Sequence, residues 1–358
     1  MTTLTSKPLV LAVEAELALP GSLLALPYAG AAPTFAGAPV HAGEGAAVLG
    51  RVTVGSGAWL GALSVMRADG DVVKIGDDLR LGPRSTVHIM HELYPAIVGD
   101  RVAVGANACV HACTVGNDCI IGDGAVVLDD AVVEDEVIIE PGSIVFPRKR
   151  LARGQVYAGS PAKPVRPVRP GEIAERRAKM LQVADEETRA AGARAQSEID
   201  PSAFVAATAS LKGRVRMQAG ASVWYGCEFD AGDAFISIGA NSNVQDNTLI
   251  RCSTAQGVTI GRDSVIGHNV VIKDCVIGNE ALVGIGSTVE TGTVIQDRAL
   301  LAAGARTAPG QVLESGWVWG GSPVRRIAPF DKQELIAFTI ATYKEYARNF
   351  KAAQEAQR

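Results

Sequence analysis

Residues 98–151 read VGDRVAVGANACVHACTVGNDCIIGDGAVVLDDAVVEDEVIIEPGSIVFPRKRL, and the spacing of their branched aliphatics decides the fold. Val98, Val104 and Val110 stand at a six-residue step; after one five-residue step, Val115, Ile121, Val127, Val133, Ile139, Val145 and Leu151 resume it. Neither a helix nor an amphipathic strand has that period. Gly often follows the aliphatic, as in Val104-Gly105 and Ile121-Gly122, which predicts short strands with a tight corner after each. Three such strands make one triangular coil, and the aliphatics of successive coils stack inward. A run of valine-rich hairpins would alternate with period two instead.

The comb returns as Ile260, Ile266 and Ile272, then, after another five-residue step, Ile277, Val283, Val289, Ile295 and Leu301. Shorter runs precede each comb: Val48, Val54 and Leu60 in one half, Val205, Leu211, Met217 and Val223 in the other. The halves also superpose locally. Tyr157-Ala158-Gly159-Ser160-Pro161 matches Trp319-Gly320-Gly321-Ser322-Pro323, and Cys113 matches Cys275 at the same offset. The chain reads as a tandem duplication: an N-terminal extension (1–32), a β-helix (33–170), a linker helix (171–198), a second β-helix (199–330) and a C-terminal helix (331–358). The first helical segment, Glu172 to about Gln196, either caps a β-helix or is a charged linker. The second places Leu335, Phe338, Ile340, Tyr343, Tyr346 and Phe350 on an apolar face expected to pack along a β-helix and cap its open end.

Composition agrees with a solenoid. The chain has 358 residues, enough for two domains at roughly 100–200 residues each. Hydrophobic residues are 47% but aromatics only 5%, with 39 Gly, so the core must be built from small and branched side chains. Against 34 basic residues stand 38 acidic, a net charge of −4, and no basic excess points to nucleic acid or an acidic membrane. Pro8 to Gly30 is apolar but broken by Glu14, Glu16, Pro20 and Pro27, and reads poorly as a signal peptide or membrane span. Six cysteines without a CxxC pair or export signal predict reduced thiols and a cytoplasmic protein.

The chain resembles the γ-class carbonic anhydrases and their hexapeptide-repeat relatives over roughly residues 33–170 and 199–330. The C-terminal half carries the likeness best, in Asp200-Pro201-Ser202-Ala203-Phe204-Val205, Ser222-Val223-Trp224-Tyr225-Gly226, Asn243-Val244-Gln245-Asp246-Asn247-Thr248, Ile266-Gly267-His268-Asn269 and Trp319-Gly320-Gly321-Ser322-Pro323. The resemblance implies two left-handed parallel β-helix domains packed around pseudo-threefold axes. It also implies a metal held by three histidines, two from one β-helix and the middle one from its neighbour. Each half is broken alone. The first keeps the outer ligands His88 and His111 but has Ala106 in the middle; the second keeps His268 but has Arg251 and Lys273 outside. The family's interface ion-pairing residues divide likewise, with Arg67-Ala68-Asp69 kept in the first half and Gln245-Asp246 in the second. These complementary losses assemble one full set if an N-type half faces a C-type half. Two domains cannot close a ring of three, so more than one chain, a homo-oligomer, is expected.

Three neutral imidazoles with one open position are the donor set of a catalytic Zn²⁺, which activates water at neutral pH toward carbon dioxide. Imidazole suits Fe²⁺ and Co²⁺ as well. The expected function is a zinc-dependent, γ-carbonic-anhydrase-like lyase acting on carbon dioxide and bicarbonate. Its rivals are a non-catalytic assembly subunit and an acyl-CoA hydrolase or acyltransferase of the same fold. Gln245 would orient the nucleophile or substrate, and Arg67, Asp69 and Asp246 would fix the interface. His91 and Glu92 are either a proton carrier or an exposed loop pair, and His91 is also a rival third ligand to His268. His41 is read as a loop histidine without a metal. Cys113 and Cys275 are read as buried corner residues, with a thioester role the alternative.

Overall fold

The computed structural model describes residues 19–181 and 197–357. Residues 1–18, 182–196 and 358, which include parts of the expected extension, linker helix and C-terminal helix, lie outside the described residues.

Both combs point inward. Every comb aliphatic from Val98 to Leu151 is buried in one core and every one from Ile260 to Leu301 in the other, because each six-residue step carries the chain to the equivalent inward position on the next face of the coil. Parallel pairing shows the coil length directly: Val115 pairs with Val133 and Val133 with Leu151, while Val98 pairs with Val115 across the five-residue step. The result is a tandem left-handed β-helix. The second half has three separate sheets of seven, eight and five strands. In the first half two faces merge into one twelve-stranded sheet, since the long strands Ala47–Val54 and Val65–Ile75 run round a corner without breaking.

That sheet begins earlier than the sequence suggested. Leu24–Leu26 pairs in parallel with Ala47–Leu49, so the end of the expected extension already belongs to the first solenoid. The first helix, α1, is described over Glu172–Leu181 and lays Ile173 and Met180 on Ala103, Ile120, Ile138 and Val156. The second, α2, spans Gln333–Ala356. It does not cap an open end as expected. Ile336 and Ile340 pack on Val265 of the second half, whereas Tyr346 and Phe350 pack against Tyr28 of the first, so α2 lies across the seam.

The two halves of this one chain face each other. Ile285 and Ala303 pack onto Cys109, Val126, Leu128 and Ile144, and Arg84 pairs with Glu228 at 2.5 Å. The approach is close enough to need glycine. A Cβ on Gly286, whose φ is +68°, would lie 2.6 Å from Val126 Cγ2, and one on Gly304 2.4 Å from Ile144 Cδ1. Asn269 Nδ2 then donates across the seam to the Arg84 carbonyl at 2.8 Å, and Asn247 Nδ2 to Thr86 Oγ1 at 3.0 Å.

Candidate metal centre

Strands Thr86–His88 and Cys109–His111 stack in adjacent coils with His88 and His111 in direct register, so the outer pair is placed by the solenoid itself. His88 Nδ1 lies 3.3 Å from His111 Nε2. The third ring comes from the corner after Val265–Ile266 of the second half, which carries His268 across the seam. One nitrogen of each of His88, His111 and His268 lies within 4.8 Å of the others. The ring centroids are 4.7, 5.3 and 5.5 Å apart, and all three residues are buried. The three rings come together within one chain, because the complementary faces belong to halves that already pack on each other.

Each ring has a carboxylate behind it. His88 Nε2 is 3.0 Å from Asp69 Oδ1, His111 Nδ1 is 2.5 Å from Asp129 Oδ1, and His268 Nδ1 is 3.1 Å from Asp246 Oδ2. The last is the longest of the three contacts. Arg67, in register with His88, ties the carboxylates together. It bonds Asp69, donates through Nε to Asp246 Oδ2 at 3.0 Å and through Nη2 to the Tyr343 hydroxyl at 2.9 Å. Burial is the strongest influence on Asp246 and would raise it, but the Arg67 charge, His268 and the Tyr225 backbone N–H together hold that carboxyl below its usual range. Burial carries Asp69 up to about 6 despite Arg67.

The same burial keeps two of the three imidazoles, His88 and His268, neutral, as metal ligands must be. It drives His88 well below the usual histidine range, with the Arg67 charge adding to the effect, and lowers His268 to about 4. In the metal-free protein the folded state therefore refuses protons that an unfolded histidine takes near pH 6.5. The stability contributed by these two groups is full above about pH 6.5 and lost as pH falls toward 4. Asp69, raised to about 6, acts in the opposite sense, losing stability as pH rises through that value, but it is one group against two. The chelator-treated protein is expected to melt at a lower temperature at about pH 5 than at about pH 7. A higher melting point at the acid value would show that Asp69 dominates.

Other residues singled out by the sequence divide. Gln245 lines the cavity beside His88 and His111 and donates to Asn243 Oδ1 at 3.2 Å. His91 lines the outer part of the same cavity, but its Nδ1 sits 2.6 Å from the Tyr346 hydroxyl, away from the three-histidine cluster. Glu92 is exposed and does not line the cavity. Lys273 pairs with Glu290 at 2.9 Å, and Arg251 is exposed at the end of its strand. His41 lies not in a loop but in the short strand His41–Ala42, stacked on Trp59 at 4.5 Å. Cys113 and Cys275 are buried, and burial pushes both thiols up, so neither is a ready nucleophile.

Two residues escaped the sequence reading. Asp129 lies one coil on from His111; Cys109 pairs with Val126, a 17-residue coil, so a carboxylate one residue past the register position of His111 was the available signal. Tyr343 looked like one more apolar residue of α2. Its hydroxyl accepts from Arg67 and lies 3.5 Å from His268 Nε2, so its own proton points toward the cluster. Replacing Asp129 by Asn removes the charge behind His111 but keeps its shape. Loss of such an outer partner lowers metal affinity about 10–100-fold, which competition against a chromogenic chelator would measure. An unchanged affinity would mean His111 is not a ligand.

Residues 112–147 match the family model for bacterial transferase hexapeptide (six repeats), and residues 236–274 and 275–305 match that for hexapeptide repeat of succinyl-transferase. The chain is 33% identical over 161 residues to gamma carbonic anhydrase 1, mitochondrial, of Arabidopsis thaliana, covering 42% of this chain and 56% of that one. It is 36% identical over 131 residues to protein YrdA of Escherichia coli K12, covering 35% of this chain and 71% of that one. The chain thus spans only about half the length of the plant relative. Among solved structures it is similar to a hexapeptide transferase family protein from Anaplasma phagocytophilum, with 30% identity, a TM-score of 0.41, and coverage of 42% of this chain and 91% of that one. No described helix is long and apolar enough to cross a membrane.

Proposed function

The chain belongs to the γ-carbonic-anhydrase and hexapeptide-repeat family, and from that premise we propose that it is a metal-dependent enzyme hydrating carbon dioxide at the seam between its own two halves. The observation that carries the reading is the convergence of His88, His111 and His268, each backed by a carboxylate, from two halves that individually lack a full set. Those residues fit a divalent cation. Burial keeps His88 and His268 neutral, and one nitrogen of each of the three rings lies close enough to the others to share one ion. Zn²⁺, Fe²⁺ or Co²⁺, if held there, would supply a nucleophilic water at neutral pH.

The chain's own residues do the rest. Asp69, Asp129 and Asp246 set the tilt of the three rings, and Arg67 sets the carboxylates. Gln245 offers an amide at the cavity wall to orient substrate oxygen. The Tyr343 hydroxyl, which accepts from Arg67 and lies 3.5 Å from His268 Nε2, stands where it would donate to an oxygen at the cluster. His91, half-buried where the cavity opens, passes the product proton outward. A homo-oligomer would repeat this site rather than complete it.

The test is metal content and stopped-flow carbon dioxide hydration on the same preparation. About one metal per chain with hydration activity is expected from a single three-histidine site. About two per chain, or none in protein purified with added zinc, would overturn the reading, and none would favour an assembly role.

A further inference from the structure

Above the histidine cluster lies a cavity of about 300 Å³, far larger than carbon dioxide requires. An apolar cavity of about 150 Å³ already takes a benzene molecule. Its inner end is His88, His111 and Gln245, all buried; its outer end is marked by Phe338, 46% exposed, and half-buried His91. Between them the walls are Leu128 from the first half, Leu282, Ile285 and Leu300 from the second, and Leu335 and Thr339 from α2. Asp129 is the only acidic residue lining it and no Lys or Arg does, so away from the histidine end its described walls carry no cationic side chain. A hydrated inorganic ion gains nothing from such walls. A hydrocarbon chain gains with every methylene buried.

We propose that this channel receives the apolar chain of a neutral carbonyl compound of about six to ten carbons, delivering its carbonyl to the histidine cluster, and that the protein hydrolyses the corresponding esters. The inference rests on the metal reading above for its chemistry, but its substrate class rests on the channel alone. In the hydrolysis, water's oxygen bonds to the carbonyl carbon, the bond from that carbon to the ester oxygen breaks, and a proton from water ends on the departing alcohol. No electrons are exchanged with another reactant. The Tyr343 hydroxyl and Gln245 amide are the donors available to the carbonyl oxygen at the inner end.

Two experiments test it. In metal-free protein, calorimetric binding of a series from N-methylbutanamide to N-methyldecanamide should tighten about fourfold per added methylene until the channel is full. In metal-loaded protein, kcat/KM for 4-nitrophenyl esters should rise along the same series from butyrate. Thr339→Trp on α2, which narrows the channel without touching the cluster, should move the optimum to shorter chains while metal content and carbon dioxide hydration stay unchanged. Ala302→Phe, on the opposite wall, should do the same should the helix variant misfold. A flat amide series, or chain-independent ester cleavage, in protein that still hydrates carbon dioxide overturns the proposed substrate class. A rising amide series in protein that binds no metal and cleaves no ester retains the channel but overturns both the hydrolysis and the metal reading.

Discussion

His268→Ala is expected to abolish metal binding as completely as His88→Ala or His111→Ala, although it lies in the half that lacks the other two ligands. A three-histidine site that loses one donor keeps two, too few to hold a labile divalent ion against buffer and water. Metal content should fall from about one per chain to near zero, and carbon dioxide hydration with it. The fold should survive. His268 sits at a corner, not among the inward aliphatics, and its loss removes no stacked residue of the core. The control is His91→Ala. Its ring lies against Tyr346 and Phe338 rather than in the cluster, so this variant should keep its metal and lose only proton export, seen as a rate that recovers with buffer concentration. Full occupancy in the His268→Ala protein would sink the shared-site reading, and it would do so within one chain.

Why was so much of this legible beforehand, and why not all? The coil period could be read because a β-helix has a strict repeat: each coil must place an aliphatic under the last, and a slip would turn Val127 or Ile139 to solvent. The ligands could be read because the duplicated halves lost opposite members of one set. Three things had no such signature. Leu24–Leu26 pairs with Ala47–Leu49 and buries Leu26, but three residues between prolines are too short to show a period. The helix pattern of α2 gave its apolar stripe but not its target, and a stripe that holds Tyr343 and Tyr346 suits a solenoid flank or a seam equally. Whether N-type and C-type halves meet within one chain or between chains depends on how the connection folds, and side-chain periodicity says nothing of that. The glycines at 286 and 304 did mark the contact, but as two among many corner glycines they could not be told apart from turns.

Arg67 is where the two halves are joined electrostatically, and Arg67→Met is expected to cost more stability than any other surface-neutral change in the seam. The guanidinium is 0% exposed, packed 4.4 Å from the Trp224 ring centre and 5.2 Å from that of Tyr343. Its partners, Asp69 and Asp246, are 1% and 0% exposed and come from different halves. Methionine fills much of the volume, so the loss is not a cavity effect. It leaves two buried carboxylates with no cation, and breaking a buried pair from one side costs about 3–5 kcal/mol. Both carboxyls then gain by taking protons, and the rings of His88 and His268 lose their fixed backing, so metal affinity should fall together with stability. Lysine is no remedy, since one ammonium cannot replace the planar fork that reaches Asp69, Asp246 and the Tyr343 hydroxyl at once. The check is urea unfolding of metal-free protein for Arg67→Met and for Arg67→Met combined with Asp246→Asn. The second substitution removes one stranded charge, so the double variant should recover part of what the single one lost. A single-variant loss below about 1 kcal/mol, or a double variant weaker by the sum of its parts, would mean that Arg67 is solvated through the seam and does not hold the halves together.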